Sequence, residues 1–494
     1  MPKNIHKCSS TFSMVKQERF SSRWTLLLAT VGMAIGAGNI WRFPRLAGQY
    51  GGAFLIPWMV FLILWSIPLI IVEFSIGRRT RKGVIGSFAT YMGSNFAWMG
   101  GFVALCTMAI MFYYSVVTGW ALRYFLVSIT GNLSRADHSN YWNQFVSGYQ
   151  PFFFHLIALI IGSLVIYQGV NKGIERANRI LLPSLVLLLF VGVIRSLTLP
   201  NAAVGLNYFF GIRTEYLFDY KVWLEGLSQS AWSTGAAWGL ILTYSVYMKE
   251  KEDIVLNSFI TGFGNNSASL LAGLAIIPAI FSLAPTLADA EAALKAGNDG
   301  LSFIVIPQLF SKLPASFFFT SVFFLGLFFA AISSLISMLE LATRIIMDFG
   351  LPRKKALPII SVITALLGIP SAMSIKFFQN QDWVWGLGLI ISGLFFAISV
   401  IHYGVKKFRQ TFVNIVEGDL QVGKWFDIVL KYLIPVEALV LLCWWLYRSI
   451  GWNPQGWYNP FQSDSLGTCI AQWFFLLLIL ISVNLLILRK MRKS

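Results

Sequence analysis

The chain has 494 residues, is 56% hydrophobic and only 12% charged, and has a mean hydropathy of +0.68. Those values exclude a soluble globular domain and indicate a polytopic membrane protein. The net charge of +17 would suit a nucleic-acid partner in a soluble chain. Here the basic residues gather in short loops and tails, at Lys3–Arg23, Arg78–Lys82, Lys172–Arg179, Lys249–Lys251, Arg353–Lys355, Lys406–Arg409 and Arg489–Lys493. The alternate loops, such as Ser128–Gln150 and Pro285–Ser316, are poor in Lys and Arg, so the positive-inside rule places both termini in the cytoplasm and requires an even number of spans. The cysteines at 8, 106, 443 and 469 form no paired motif, which suggests neither a disulfide framework nor a zinc site. The histidines at 6, 138, 155 and 402 are scattered and suggest no embedded catalytic cluster.

Counting apolar runs near the ~20 residues that a span requires gives about twelve, at 22–47, 52–77, 100–128, 152–170, 178–198, 223–248, 256–283, 317–349, 356–372, 384–406, 426–447 and 467–488. The first lacks a signal-peptide cleavage pattern and reads as a retained helix. Within it lies Val31-Gly-Met-Ala-Ile-Gly-Ala-Gly-Asn-Ile-Trp-Arg-Phe-Pro44, with glycines at 32, 36 and 38. Glycine weakens a helix by about 1 kcal/mol relative to alanine, so three in seven residues predict an unwound point. In lipid such backbone survives only where it lines a protected cavity. A helix broken there offers N–H groups to an anion and free carbonyls to a cation. Asn39 adds a side-chain oxygen at the break, and Arg42 a charge about one turn further out.

Gly51-Gly-Ala-Phe54 predicts a tight turn into the second span, which carries Glu73 ahead of Arg78-Arg79. An intramembrane carboxylate either holds another helix's free N–H groups or handles ions; the sequence leaves both open. In the third span Phe112-Tyr113-Tyr114 sets two phenols side by side, and only one of two adjacent helical residues can face a given site. The sixth run repeats the device of the first: Gln229-Ser-Ala-Trp-Ser-Thr-Gly-Ala-Ala-Trp-Gly239 is small, polar and glycine-bearing in mid-span. Interrupted spans at corresponding places in two halves point to an inverted-repeat transporter with its site at the midplane. The seventh span contains Gly264-Asn-Asn-Ser-Ala-Ser269, and the eighth Phe329-Ala-Ala-Ile-Ser-Ser334. Serines in membrane helices commonly bond back to the preceding turn. Two adjacent ones beside Ala330 also suit sodium, a hard cation that takes oxygen ligands. Asp348 and Asp382 stand at span ends.

Taken together, these residues resemble the neurotransmitter:sodium symporter family, bacterial amino-acid transporters included, from about Glu18 to the last span. The resemblance rests on Gly38-Asn-Ile-Trp-Arg-Phe-Pro44, Gly51-Gly-Ala-Phe54, Tyr113-Tyr114, Ser333-Ser334 and Asp348. It implies an all-α, leucine-transporter-like fold of two inverted five-helix repeats with broken first and sixth helices. The expected divisions are a tail (1–20), the first repeat (21–220), the second (221–410), and spans eleven and twelve with a tail (411–494). It implies a first sodium site from the Ala34 carbonyl, Asn39, Ser233, Asn265 and the substrate carboxylate. A second would use carbonyls of Gly32, Ile35 and Ala330 with the hydroxyls of Ser333 and Ser334. Tyr114 and the amides of Ala37 and Gly38 would hold the substrate carboxylate, and carbonyls of Ala34, Trp232 and Ser233 its amine. Arg42 and Asp382 would form the outer gate, with Trp232 closing between them and Asp348 at the inner gate.

Three departures shape the reading. The family's inner-gate arginine is replaced by Gln17, so Lys16 or Arg19 substitutes or the latch is weaker. The acid that chloride-independent bacterial members carry in the seventh span is Ser269, which with Gln229 and Ser233 resembles the chloride site of animal members; Trp58 stands where those members have tyrosine, and its indole N–H can still donate. Gly36 occupies the place of the monoamine transporters' aspartate, which favours substrates with their own carboxylate. The implied side-chain pocket of Ile110, Tyr114, Trp232, Gly235, Trp238, Ser334 and Met338 carries no charge, so a neutral side chain is expected. Gly-Ala-Ala-Trp-Gly resembles glycine transporters. The expected activity is therefore sodium-coupled, chloride-assisted symport of glycine or alanine, N-methylated forms included, with two sodium sites and no enzymatic chemistry. Alternatives are a larger apolar substrate, since Gly235 could make room for one, and a non-translocating sensor. The expected location is a bacterial inner membrane. The partners are substrate and lipid, not nucleic acid, and oligomeric state is not legible.

Overall fold

The structure is a computed structural model that describes residues 18–133, 136–415 and 420–491. Gln17 and Lys16 therefore lie outside the described residues. Among those described the secondary structure is helical throughout. Among the described residues nine helices are long and apolar enough to cross a membrane, and the bent pair Arg23–Ala34 and Ala37–Tyr50 makes a tenth. The broken sixth run and Ile434–Trp452 complete the twelve runs read from the sequence.

The first span starts at a capping box, where the Ser22 hydroxyl accepts from the Thr25 N–H, one of the orphan donors of any helix start. It stops at Ala34, and the chain passes through Ile35 and an extended Gly36 (φ −102°, ψ −175°) before helix resumes at Ala37 with a 52° bend. At the other end Gly51 takes φ +61°, and Gly52 lies so close to the Phe210 carbonyl that a Cβ would sit 2.3 Å from its oxygen. The second span, Gly52–Thr80, therefore begins directly after a turn that only glycines permit.

The sixth span runs from Tyr220, capped by Asp219, to Ser233, and resumes only at Leu240–Ser245. Between them Gly235, Ala237 and Gly239 have φ of +69°, +66° and +78°. Left-handed geometry costs an alanine about 1–2 kcal/mol, so Ala237 needs an outside hold. Glu73 supplies it: the Ala237 N–H donates to Oε1 at 2.5 Å and the Leu242 N–H to Oε2 at 3.0 Å. Of the two roles open for Glu73, the observed contacts are those of a clamp on the unwound backbone.

Two groups of helices carry the site. The third (Ser94–Ser128), fourth (Gln150–Tyr167), eighth (Ser316–Asp348) and ninth (Arg353–Met373) spans pack on one another, the third and eighth most extensively. The two halves of the first span, the second, the sixth and the seventh (Ile254–Leu283) form the other group. Both chain breaks lie where the groups meet.

Candidate functional site

Breaking a helix frees its last carbonyls and first N–H groups, and here the exposed backbone of both broken spans faces one cavity. It is lined by Ala34, Gly38, Asn39, Ser233, Gly235 and Trp238 from the broken spans, by Ile110 and Tyr114 from the third, and by Ser334 and Met338 from the eighth. Every residue expected in the side-chain pocket thus lines a single cavity. Of the two phenols, Tyr114 reaches the first break, its hydroxyl accepting from the Ala37 N–H at 3.0 Å. Tyr113 turns its ring edge-on to Phe378. Gly36 leaves no room for a side chain, since a Cβ would stand 3.0 Å from the Tyr114 hydroxyl and 3.1 Å from Ser334 Oγ.

Oxygen atoms converge beside the cavity. Asn39, Asn265 and Asn266 are fully buried. Asn39 caps its own helix through Gly36 N (3.0 Å), while its Nδ2 donates to Asn265 Oδ1 (2.8 Å) and Ser269 Oγ (2.8 Å). Asn265 Oδ1 also stands 3.0 Å from the Ala34 carbonyl oxygen and 2.9 Å from that of Ser233, oxygen facing oxygen, while its Nδ2 donates to Ser233 Oγ at 2.8 Å. One amide thus touches the Ala34 carbonyl, the Ser233 carbonyl and hydroxyl, and the Asn39 side chain: an oxygen-rich set fit for a hard monovalent cation. A second convergence lies across the first break. Ser333 Oγ donates to the Gly32 carbonyl at 2.7 Å and to Ala330 at 2.9 Å, while Ser334 Oγ donates to Met33 at 2.9 Å. Ile35 is buried at the helix end, its N–H bonded to Val31.

Trp58 Nε1 and both polar atoms of Gln229 are buried without a hydrogen-bond partner. Buried polar groups are otherwise almost always paired, so the two donors among them, Trp58 Nε1 and Gln229 Nε2, fit a small anion. Of the other two members of that set, Ser269 accepts from Asn39 and Ser233 from Asn265.

On the upper side Trp232 packs closely against the tenth span, where a Cβ on Gly386 would come within 1.7 Å of its ring. The Arg42 guanidinium sits 4.9 Å above that ring and donates to Ser228 Oγ at 2.8 Å. Asp382 lines the same opening, but the ion pair that Arg42 makes is with Glu225, at 3.8 Å. On the lower side Asp348 accepts from Gly83 N (2.5 Å) and pairs with Arg344 (3.1 Å), and Arg19 pairs with Glu250 at 3.9 Å. Deeper in, Arg353 bonds Glu340 and, at 2.6 Å, Glu18, while the Tyr247 hydroxyl donates to Glu340 at 2.5 Å.

The sequence reading passed over Glu225, Glu340, Arg353 and Met33. Glu225 and Glu340 could have been found by the signal that picked out Glu73, an acid inside an apolar run. Met33 carries no such signal. Its sulfur fills the space that Gly235 leaves, standing 2.9 Å from where a Cβ would be.

A model of the sodium:neurotransmitter symporter family matches residues 17–148 and 152–493. An uncharacterised sodium-dependent transporter of Bacillus subtilis is 32% identical over 452 residues, covering 86% of this chain and 97% of its own. Another, from Methanocaldococcus jannaschii, is 30% identical over 449 residues, covering 87% and 90%. The sodium- and chloride-dependent glycine transporter 2 of Xenopus laevis is 23% identical over 561 residues, covering 96% of this chain and 69% of the relative. Among solved structures, MhsT in complex with L-phenylalanine is similar with a TM-score of 0.74 and 28% identity, over 86% of this chain and 99% of that one. With two broken spans around one cavity and a family match along almost its whole length, the chain belongs to the sodium:neurotransmitter symporter family and has the leucine-transporter-like fold.

Proposed function

We propose that the protein is a sodium-coupled, chloride-assisted symporter of a small neutral amino acid, of the glycine or alanine type. The observation that carries this reading is the facing of the two chain breaks across one cavity, with Tyr114 on the Ala37 N–H and the Ala34, Asn39, Ser233 and Asn265 oxygens beside it. The carboxylate of the substrate would sit at the N–H groups of Ala37 and Gly38 and the Tyr114 hydroxyl. It would also complete the first sodium shell. Sharing one carboxylate makes sodium and substrate each raise the other's affinity by the same factor, so a sodium gradient drives accumulation. The second sodium would lie among the Gly32, Ile35 and Ala330 carbonyls and the hydroxyls of Ser333 and Ser334. Chloride would take the donors of Gln229, Trp58, Ser233 and Ser269 and balance the sodium charge. The lining of the cavity is uncharged except at its upper end, where Arg42 and Asp382 stand. Trp238 and Met33 narrow it, which supports a small side chain. Both termini are cytoplasmic in this reading, the two helix groups rock against each other, and Asp348 belongs to the inner gate.

A larger apolar substrate is the second reading, favoured by the likeness to a transporter solved with L-phenylalanine. Uptake of glycine, alanine and leucine into proteoliposomes, with sodium and chloride gradients imposed separately, tests both. Accumulation of glycine or alanine that needs both ions is expected. Preference for leucine overturns the size assignment, and saturable binding without accumulation overturns symport.

A further inference from the structure

Glu225 is only 7% exposed on the upper half of the sixth span. A carboxylate so buried needs partners, and it pairs with two arginines, neither closely seated, while Arg45 acts on it from further off. Its Oε1 accepts from Arg448 Nη1 at 3.3 Å, and its Oε2, which has no hydrogen bond, faces Arg42 Nη2 at 3.8 Å. Arg448 comes from the eleventh span and is gripped by three indoles, its guanidinium carbon 5.0 Å from Trp444, 5.3 Å from Trp445 and 5.9 Å from Trp452. Arg42 is held by Ser228 and the Trp232 face. Asp382, on the tenth span, shares the opening with Arg42, yet no ion pair joins them among the described residues.

We propose that the outer gate is a three-way exchange, in which Glu225 is the resting partner of Arg42 and Arg448 sets how strongly it competes with Asp382. The proposal rests on reading this face as the substrate entrance. Charge bookkeeping gives the direction. Arg448 competes with Arg42 for the one Glu225 carboxylate, and its positive charge repels a second cation there, so it loosens the hold of Glu225 on Arg42. The looser that hold, the more readily Arg42 swings to Asp382 and closes over Trp232. The eleventh span, which lies outside both helix groups, thereby biases closure without touching the substrate. Glu225 and Arg448 are positioning residues: neither lines the substrate cavity.

The test is a double-mutant cycle with two readouts. One is equilibrium binding of substrate in sodium, with its dissociation rate. The other is the reactivity of N298C, half-buried where the substrate cavity meets the vestibule that Asp382 lines, toward a membrane-impermeant maleimide, which reports closure whether or not substrate is transported. Glu225→Gln should free Arg42 for Asp382, slowing substrate release and maleimide labelling about fivefold, the lower end of typical coupling between sites. Arg448→Gln, at a side chain 41% exposed, should act in the opposite direction, because Glu225 then holds Arg42 alone. In the Glu225→Gln background Arg448→Gln should be silent. Effects of the same sign, or an undiminished Arg448→Gln effect when Glu225 is neutral, overturn the exchange. If the unmodified protein binds no amino acid in sodium, the functional reading fails instead, while the labelling cycle still decides the exchange.

Discussion

Replacing Glu73 by glutamine removes one atom's worth of chemistry from the hold on the sixth span. The carboxylate offers two acceptor oxygens and meets two backbone donors, Ala237 N at 2.5 Å and Leu242 N at 3.0 Å. Hydrogen bonds to a charged group contribute about 1.5–3 kcal/mol each, so the pair contributes about 3–6 kcal/mol. Glutamine keeps one oxygen, now neutral, and turns an NH2 toward the other N–H. That buried donor is then unpaired, at a cost of about 1–3 kcal/mol. The net loss should be about 3–5 kcal/mol, concentrated where Ala237 already holds φ +66°. Thermal unfolding of the purified protein in detergent, followed in parallel with sodium-dependent substrate binding, should show both markedly reduced in Glu73→Gln. If stability is unchanged and only the sodium dependence moves, Glu73 handles ions and the clamp reasoning is wrong. If neither changes, the broken span is held by other contacts.

Four further substitutions bear on the site. Asn39→Ala or Ser334→Ala should abolish sodium-dependent substrate binding, since each removes a proposed ligand and leaves buried carbonyls without a cation; isothermal titration with normal sodium dependence in both would overturn the ion assignments. Ser269→Glu should support uptake without chloride by supplying the negative charge internally, and an unchanged chloride requirement in that variant would move the anion elsewhere. Gly386→Ala would place a Cβ within 1.7 Å of the Trp232 ring; overpacking of this kind costs about 1–3 kcal/mol, so substrate should dissociate at least about fivefold faster, and an unaltered off-rate would show that Trp232 does not need this seat.

The sequence by itself determined where the chain cannot stay helical. Glycine's lack of a Cβ acts on the residue that carries it, so Gly32, Gly36 and Gly38 bracket the first break, which falls at Ile35 and Gly36, and Gly235 and Gly239 the second, with no neighbour consulted. Span number follows in the same way from apolar length. Asn39, Tyr114, Ser333 and Ser334 were legible because their types and spacing make sense only around an opened backbone. Tertiary packing decided the rest, because the contacts concerned join residues far apart along the chain. Nothing near Glu73 in sequence says that it would meet Ala237 and Leu242, or that Met33 would fill the space beside Gly235. The partner of Arg42 was read as Asp382, yet the ion pair is with Glu225, since the sixth span brings that acid alongside while Asp382 remains on the tenth. Glu340, Arg353 and Tyr247 form one buried cluster, closed on its outer side by the partly exposed Glu18, from four parts of the chain. Each alone reads as an isolated polar residue, and only burial, which forces charges to find one another, makes them a unit.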